Sequence, residues 1–227
     1  MAWARPVSSK CSDRRILGLL LVVAATTAQA QVNRCTGPEG RVRYSDRPCE
    51  AQGLVRDADA SRRLSGVRVV YLDVAGVDGP ALSASLAGRG PDGFHGLADW
   101  EYRYDYRVAP TPEGTCRVTG VRTAIEGRIR LPRWTDEARA PKALRDAWTT
   151  YLDALMRHEE GHMATGQALV RALSSDLAAA TGPDCKTLRA DVERQAQRLI
   201  DEHQERDRSY DTETQHGAAQ GARFTPP

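Results

Sequence analysis

Two imidazoles four residues apart, with a carboxylic acid beside the first, form the most chemically specific stretch of the chain: His158-Glu159-Glu160-Gly161-His162. Residues four apart on a helix sit one above the other, about 5–6 Å apart at Cβ, so both rings can reach one ion. Glu159 lies one position round the helix from His158, where it meets a water on that ion. This is the HExxH arrangement, two zinc ligands with a general base between them. A catalytic zinc site usually takes three protein ligands and a water, so a third donor is needed. His203, Asp207, Asp211, Glu213 and His216 are the candidates. His216 ranks first, because a neutral imidazole suits zinc and Gly217 frees the backbone beside it; Glu213 ranks second. Tyr210, or a histidine left unliganded nearby, is the expected oxyanion donor.

The positioning element is a long helix. Leu144, Trp148, Tyr151, Leu155, Leu169, Leu173 and Leu177 repeat at helical period, and His158 and His162 fall on the same stripe. Gly161 and Gly166 each cost a helix about 1 kcal/mol against Ala, which points to a close approach by an ion or a neighbouring group. Pro141 suits the first helical position, and Thr181-Gly182-Pro183 stops the helix near Ala180. A second helix is expected from about Lys186 to Ser209, with Leu188, Val192, Leu199 and Ile200 inward and His203 beside that stripe. A short turn makes the two helices antiparallel neighbours. At about 1.5 Å per residue, His162 should then come level with Gln204 and His158 with Arg208, so whatever follows the second helix returns to the ion.

Before the helices the pattern is that of strands. Val67 to Val74 is β-rich, Pro80 to Ala87 fits a short helix, and Cys116 to Leu131 supplies one or two further strands. Trp100, Tyr102, Tyr104 and Tyr106 alternate with Glu101, Arg103, Asp105 and Arg107, a half-buried strand packing its aromatic face on a helix. Strands followed by long helices read as α+β: a small antiparallel sheet, then an antiparallel helical hairpin carrying HExxH, as in zincins. Thr165 and Ala168 stand where metzincins carry Gly and His, which excludes that class. A thermolysin-like helical Glu would fall in the Gly182-Pro183 turn and fits poorly.

Residues 1–30 read as a signal peptide: a basic start, the apolar run Ile16 to Ala25, and Ala28-Gln29-Ala30 before the expected mature start at Gln31. The whole chain is formally +2, and residues 1–30 hold a net +3 (Arg5, Lys10, Arg14 and Arg15 against Asp13), leaving −1 for the remainder. That charge gives no argument for nucleic-acid binding, and no second hydrophobic segment would hold the mature chain in a membrane. Four cysteines remain after cleavage; proximity favours Cys35–Cys49 and Cys116–Cys185 over the other pairings. Val32 to Cys49 reads as two short strands around Gly37-Pro38-Glu39-Gly40, a β module closed by its disulfide. Gln52 to Ser65 reads as a linker. The expected division is 1–30 signal peptide, 31–60 small module and linker, and 65–227 metallohydrolase domain, in a periplasmic or secreted protein.

Residues 20–60, through Arg34-Cys35-Thr36 and Glu39-Gly40-Arg41-Val42-Arg43-Tyr44-Ser45-Asp46-Arg47-Pro48-Cys49, resemble a small domain of unknown function found at the start of exported proteobacterial proteins. From about 65 to 225 the chain resembles a family of uncharacterised bacterial proteins described as predicted secreted zinc-dependent proteases. The matching residues are Tyr71-Leu72-Asp73-Val74-Ala75-Gly76, Phe94-His95-Gly96, Trp100-Glu101-Tyr102, Cys116-Arg117-Val118, Leu131-Pro132-Arg133-Trp134, the HExxH turn, and Tyr210-Asp211-Thr212-Glu213-Thr214-Gln215-His216-Gly217. The resemblance implies zinc on His158 and His162 with Glu159 as base, and favours a role for His216. The expected activity is peptide-bond hydrolysis, with a peptide or protein substrate and cell-wall peptides as the narrower alternative. A non-catalytic exported metal-binding or scaffold module is the competing expectation.

Overall fold

The alternating aromatic stretch forms the edge of a sheet, and the long apolar stripe lies across it. A computed structural model describes residues 32–38, 42–58, 66–87 and 95–227; the expected signal peptide lies outside them. Seven strands are described: β1 (Asn33–Thr36), β2 (Val42–Ser45), β3 (Val55–Asp57), β4 (Val67–Val74), β5 (Leu97–Pro110), β6 (Cys116–Trp134) and β7 (Thr181–Gly182). Three α-helices accompany them: α1 (Gly79–Ala87), α2 (Lys142–Ala178) and α3 (Cys185–Thr214). The fold class is α+β, as expected.

β1, β2 and β3 make a small antiparallel sheet in the order β2-β1-β3, closed by Cys35–Cys49. β3 comes from the stretch read as a linker. Gly53, in the left-handed region at φ 68°, ends a short 3-10 turn and reverses the chain, so that Val55 pairs with Thr36. The module is fastened to α2 through Asp153, which accepts from Arg34 Nη2 at 2.9 Å and from the Tyr44 hydroxyl at 3.1 Å.

The main sheet has the order β4-β6-β5. β5 and β6 form a long antiparallel hairpin, the pairing expected there. β4 joins β6 in parallel, Val67 opposite Gly127 and Val74 opposite Trp134. The reason is topological: α1 separates β4 from β5, so the two strands are not a hairpin, and β4 adds to the far side of β6. One face of this sheet buries Val67, Val69, Trp100, Tyr102, Ile129 and Leu131 against the stripe of α2. Burying a side chain of that size contributes about 1.5–3 kcal/mol. Tyr104 and Tyr106 reach past α2 to Glu193 of α3, at 2.9 and 2.8 Å. The aromatic face is therefore spent on helix packing.

Pro141, extended at φ −60° and ψ 149°, precedes α2. Asp184 caps α3, its carboxylate accepting from the backbone N–H groups of Lys186 and Thr187. Cys116–Cys185 ties the start of α3 to the start of β6, beside the β6–β7 pairing. Both favoured disulfide pairings are present. α3 ends at Thr214 rather than near Ser209, and that extra turn carries Tyr210 and Asp211 on the helix itself.

Candidate metal centre

The inward stripe of α2 swaps leucine for histidine over one turn, and that turn is buried: His158, Glu159 and His162 are 4%, 3% and 5% exposed. The two rings lie edge to face, centroids 4.8 Å apart, with their Nε2 atoms 3.3 Å from each other. Asp211 arrives from α3. Its Oδ1 is 3.3 Å from His158 Nε2 and 3.1 Å from His162 Nε2. The edge of a tetrahedron is about 1.63 times its centre-to-vertex distance, so zinc bonds of about 2.0–2.2 Å place ligand atoms roughly 3.3–3.6 Å apart. The His158–His162–Asp211 triangle is within about 0.2 Å of that figure. These three residues form the group among the described residues that could hold a metal ion.

The far nitrogens of both rings are engaged. His162 Nδ1 is 2.9 Å from Asp207 Oδ1, and a carboxylate there keeps a proton on Nδ1 and leaves Nε2 to face Asp211. His158 Nδ1 is 3.1 Å from Gln220 Oε1 and 3.4 Å from Thr214 Oγ1. A side-chain carbonyl accepts, so this ring too donates from Nδ1 and turns Nε2 to Asp211. Burial works to lower His162, but its hydrogen bonds with Asp207 and Asp211 raise it to about 10, so in the metal-free chain a proton sits where the two Nε2 atoms and Asp211 Oδ1 meet, and a cation bound by these three atoms would replace it. Acceptors behind ligand imidazoles are the usual support of a metal site.

Burial pushes the Glu159 carboxyl up to about 7, against the pull of the His162 and His158 imidazoles and the Ala98 backbone N–H that donates to it. Gly96, at the entry to β5, makes room: a Cβ there would lie 2.3 Å from Glu159 Oε1. Burial also works to raise Asp211, but its hydrogen bonds from His158 and His162 hold it well below the usual carboxylate range. Tyr210 stacks on His158, rings 5.1 Å apart at 13°, and meets His162 edge-on. Its hydroxyl is engaged by Gln220, which donates to it at 3.0 Å. The glycine in HExxH has its explanation here, since a Cβ at Gly161 would sit 2.3 Å from the Tyr210 ring. Gly166 likewise lets the Trp100 ring against the helix.

Among the sequence candidates for the third ligand, the structure brings Asp211 to the pair and leaves His216 outside the group. His216 Nδ1 lies 3.3 Å from Asp211 Oδ1, with the His216 side chain 41% exposed. Because α3 runs on to Thr214, Asp211 is on the helical face turned to α2, and the chain then turns through the left-handed residues Gln215 and His216. Glu213 is exposed. His203 is buried and bonded to its own helix, Nδ1 to Leu199 O at 2.7 Å. Asp207, also a candidate, stands behind the His162 ring. Thr214 entered the sequence reading only as part of the closing motif, and nothing in the sequence distinguishes Gln220, whereas Asp207 and Asp211 repeat the four-residue spacing of the histidines.

A family model described as "Bacterial protein of unknown function (DUF922)" matches residues 69–217, which is more than half of the chain. A second, described as "Domain of unknown function (DUF4124)", matches residues 19–62. No curated protein and no solved structure matches the chain.

Proposed function

The chain belongs to the bacterial family described as DUF922, and from that premise we propose that it is a zinc-dependent peptide-bond hydrolase acting outside the cytoplasm. The carrying observation is the triangle of His158 Nε2, His162 Nε2 and Asp211 Oδ1 at tetrahedral-edge spacing, with a buried carboxylic acid one residue from the first ligand. Two imidazoles and one carboxylate are a zinc donor set that leaves a fourth position for water or substrate. A zinc ion held there would polarise a carbonyl and lower the pKa of a bound water towards 7. The remaining work falls to the chain. Glu159 takes a proton from the attacking water and returns it to the leaving amine, and its burial between α2 and the start of β5 raises its basicity. Asp207 and Gln220 keep the imidazoles turned so that Nε2 faces the ion.

Two observations support an extracytoplasmic location. Both disulfides suit an oxidising environment, and the segment matching DUF4124 precedes the site. Among the described residues no helix is long and apolar enough to cross a membrane. Together with the signal peptide expected at 1–30, these observations support a periplasmic or secreted protein.

The test is Glu159→Gln in the full chain, assayed on a mixed peptide library. The variant is expected to keep stoichiometric zinc and to lose about 10²–10⁴-fold in turnover, the range of general acid–base catalysis. Turnover equal to wild type would exclude Glu159 as the base. Absence of zinc from wild-type protein purified without chelator would remove the hydrolase reading altogether.

A further inference from the structure

The segment after α3 does more than trail from the last helix. Gln215, His216 and Gly217 all take positive φ, 52°, 52° and 83°, and for the first two this is the region that favours glycine. The excursion turns the chain back across α2. A Cβ at Gly217 would lie 2.9 Å from the His158 ring, and one at Gly221 would lie 3.5 Å from the Ala154 side chain. Phe224 then wedges edge-on against Trp148 and Tyr151, centroids 5.7 and 5.5 Å away. The segment thus runs along α2 from His158 back towards its first turns. Its path is held by His216 N donating to Asp211 O and Ala222 N donating to Gly217 O, at 2.8 and 2.9 Å.

Two side chains of this segment meet the metal group. Gln220 Oε1 faces His158 Nδ1 at 3.1 Å while Gln220 Nε2 holds the Tyr210 hydroxyl at 3.0 Å. The amide thereby connects the two rings that stack on each other. His216 stands against the Asp211 carboxylate. Gln220 also lies beyond the residues that match the family model, which end at 217.

We propose that residues 215–226 are a positioning strap for the metal centre, anchored on α2 by Phe224 against Trp148 and Tyr151, in which Gln220 fixes the tautomer and orientation of His158. The proposal rests on the metal-centre reading and assigns Gln220 no contact with substrate. Its consequence is that the centre is complete only when the strap is docked, so metal affinity reports strap docking.

The experiment uses the chelator-stripped full chain as wild type, Gln220→Ala and Gln220→Glu. Zn2+ affinity is measured by competition with a chelator, and Co2+ by its visible absorption bands. Gln220→Ala should bind Zn2+ about 10–100-fold more weakly, the usual effect of removing a partner behind a ligand, and should shift the Co2+ bands. Gln220→Glu, which keeps an oxygen acceptor for Nδ1–H, should restore both. Wild-type affinity in Gln220→Ala overturns the strap. So does a loss that Gln220→Glu fails to rescue and that tracks lower thermal stability of the metal-free chain, because that is a packing effect. A wild-type chain that binds neither ion overturns the metal centre itself, a result distinct from failure of the strap alone.

Discussion

His162 offers one ring nitrogen to each of two carboxylates on the same face of α3, Asp207 behind it and Asp211 in front. The front carboxylate competes for a metal; the back one decides which nitrogen is free to bind it. Asp207→Ala is therefore expected to weaken zinc affinity about 10–100-fold while leaving Asp211 in place, measured by chelator competition. An unchanged affinity would mean that the ring needs no orienting partner. At this scale the sequence was legible where spacing alone sets geometry. His158, Glu159 and His162 could be read from their offsets on one helix. His216 was favoured for its chemistry, since imidazole suits zinc as well as carboxylate does. Helix length brings Asp211 to the pair instead, because ending α3 at Ser209 hides that Asp211, with Asp207, extends the stripe of Leu188, Val192, Ala196 and Ile200.

α2 and α3 were expected to meet with His162 level with Gln204, yet His162 touches Asp207 and Asp211. The offset has a simple cause. Side chains lean towards the N-terminus of their own helix. In an antiparallel pair the α2 side chain leans away from the turn and the α3 side chain leans back towards it. The partner of His162 must therefore start farther along α3 than straight counting suggests. The turn itself is pinned by Cys116–Cys185, which spans 69 residues of sequence. The chain-entropy model gives such a loop about 4 kcal/mol. Replacing both cysteines by serine should lower the unfolding free energy by roughly 2–5 kcal/mol in denaturant titrations. No change would show that the strands and helices hold the turn without it. Element types were readable from period and turn residues. The parallel β4–β6 pairing was not, because nothing local to Val67–Val74 says which strand it will lie beside.

Across the whole molecule, one point gathers groups distant in the chain. α2 supplies the imidazoles and Glu159, α3 the two aspartates, the start of β5 the floor under Glu159, and the strap the amide behind His158. The N-terminal sheet docks on the same helix at Asp153, joined by Arg34 and Tyr44. Only long-range packing brings these together, which is why Gln220 could not be recognised from its neighbours in sequence. The measurement that bears most directly on the centre is zinc K-edge X-ray absorption of the full chain loaded with one equivalent of Zn2+. The structure predicts two imidazole nitrogens and carboxylate oxygen in the first coordination sphere at about 2.0–2.2 Å, with the carboxylate contribution lost in Asp211→Ala. A sphere containing sulfur, or one without two imidazoles, would contradict a metal held by His158, His162 and Asp211.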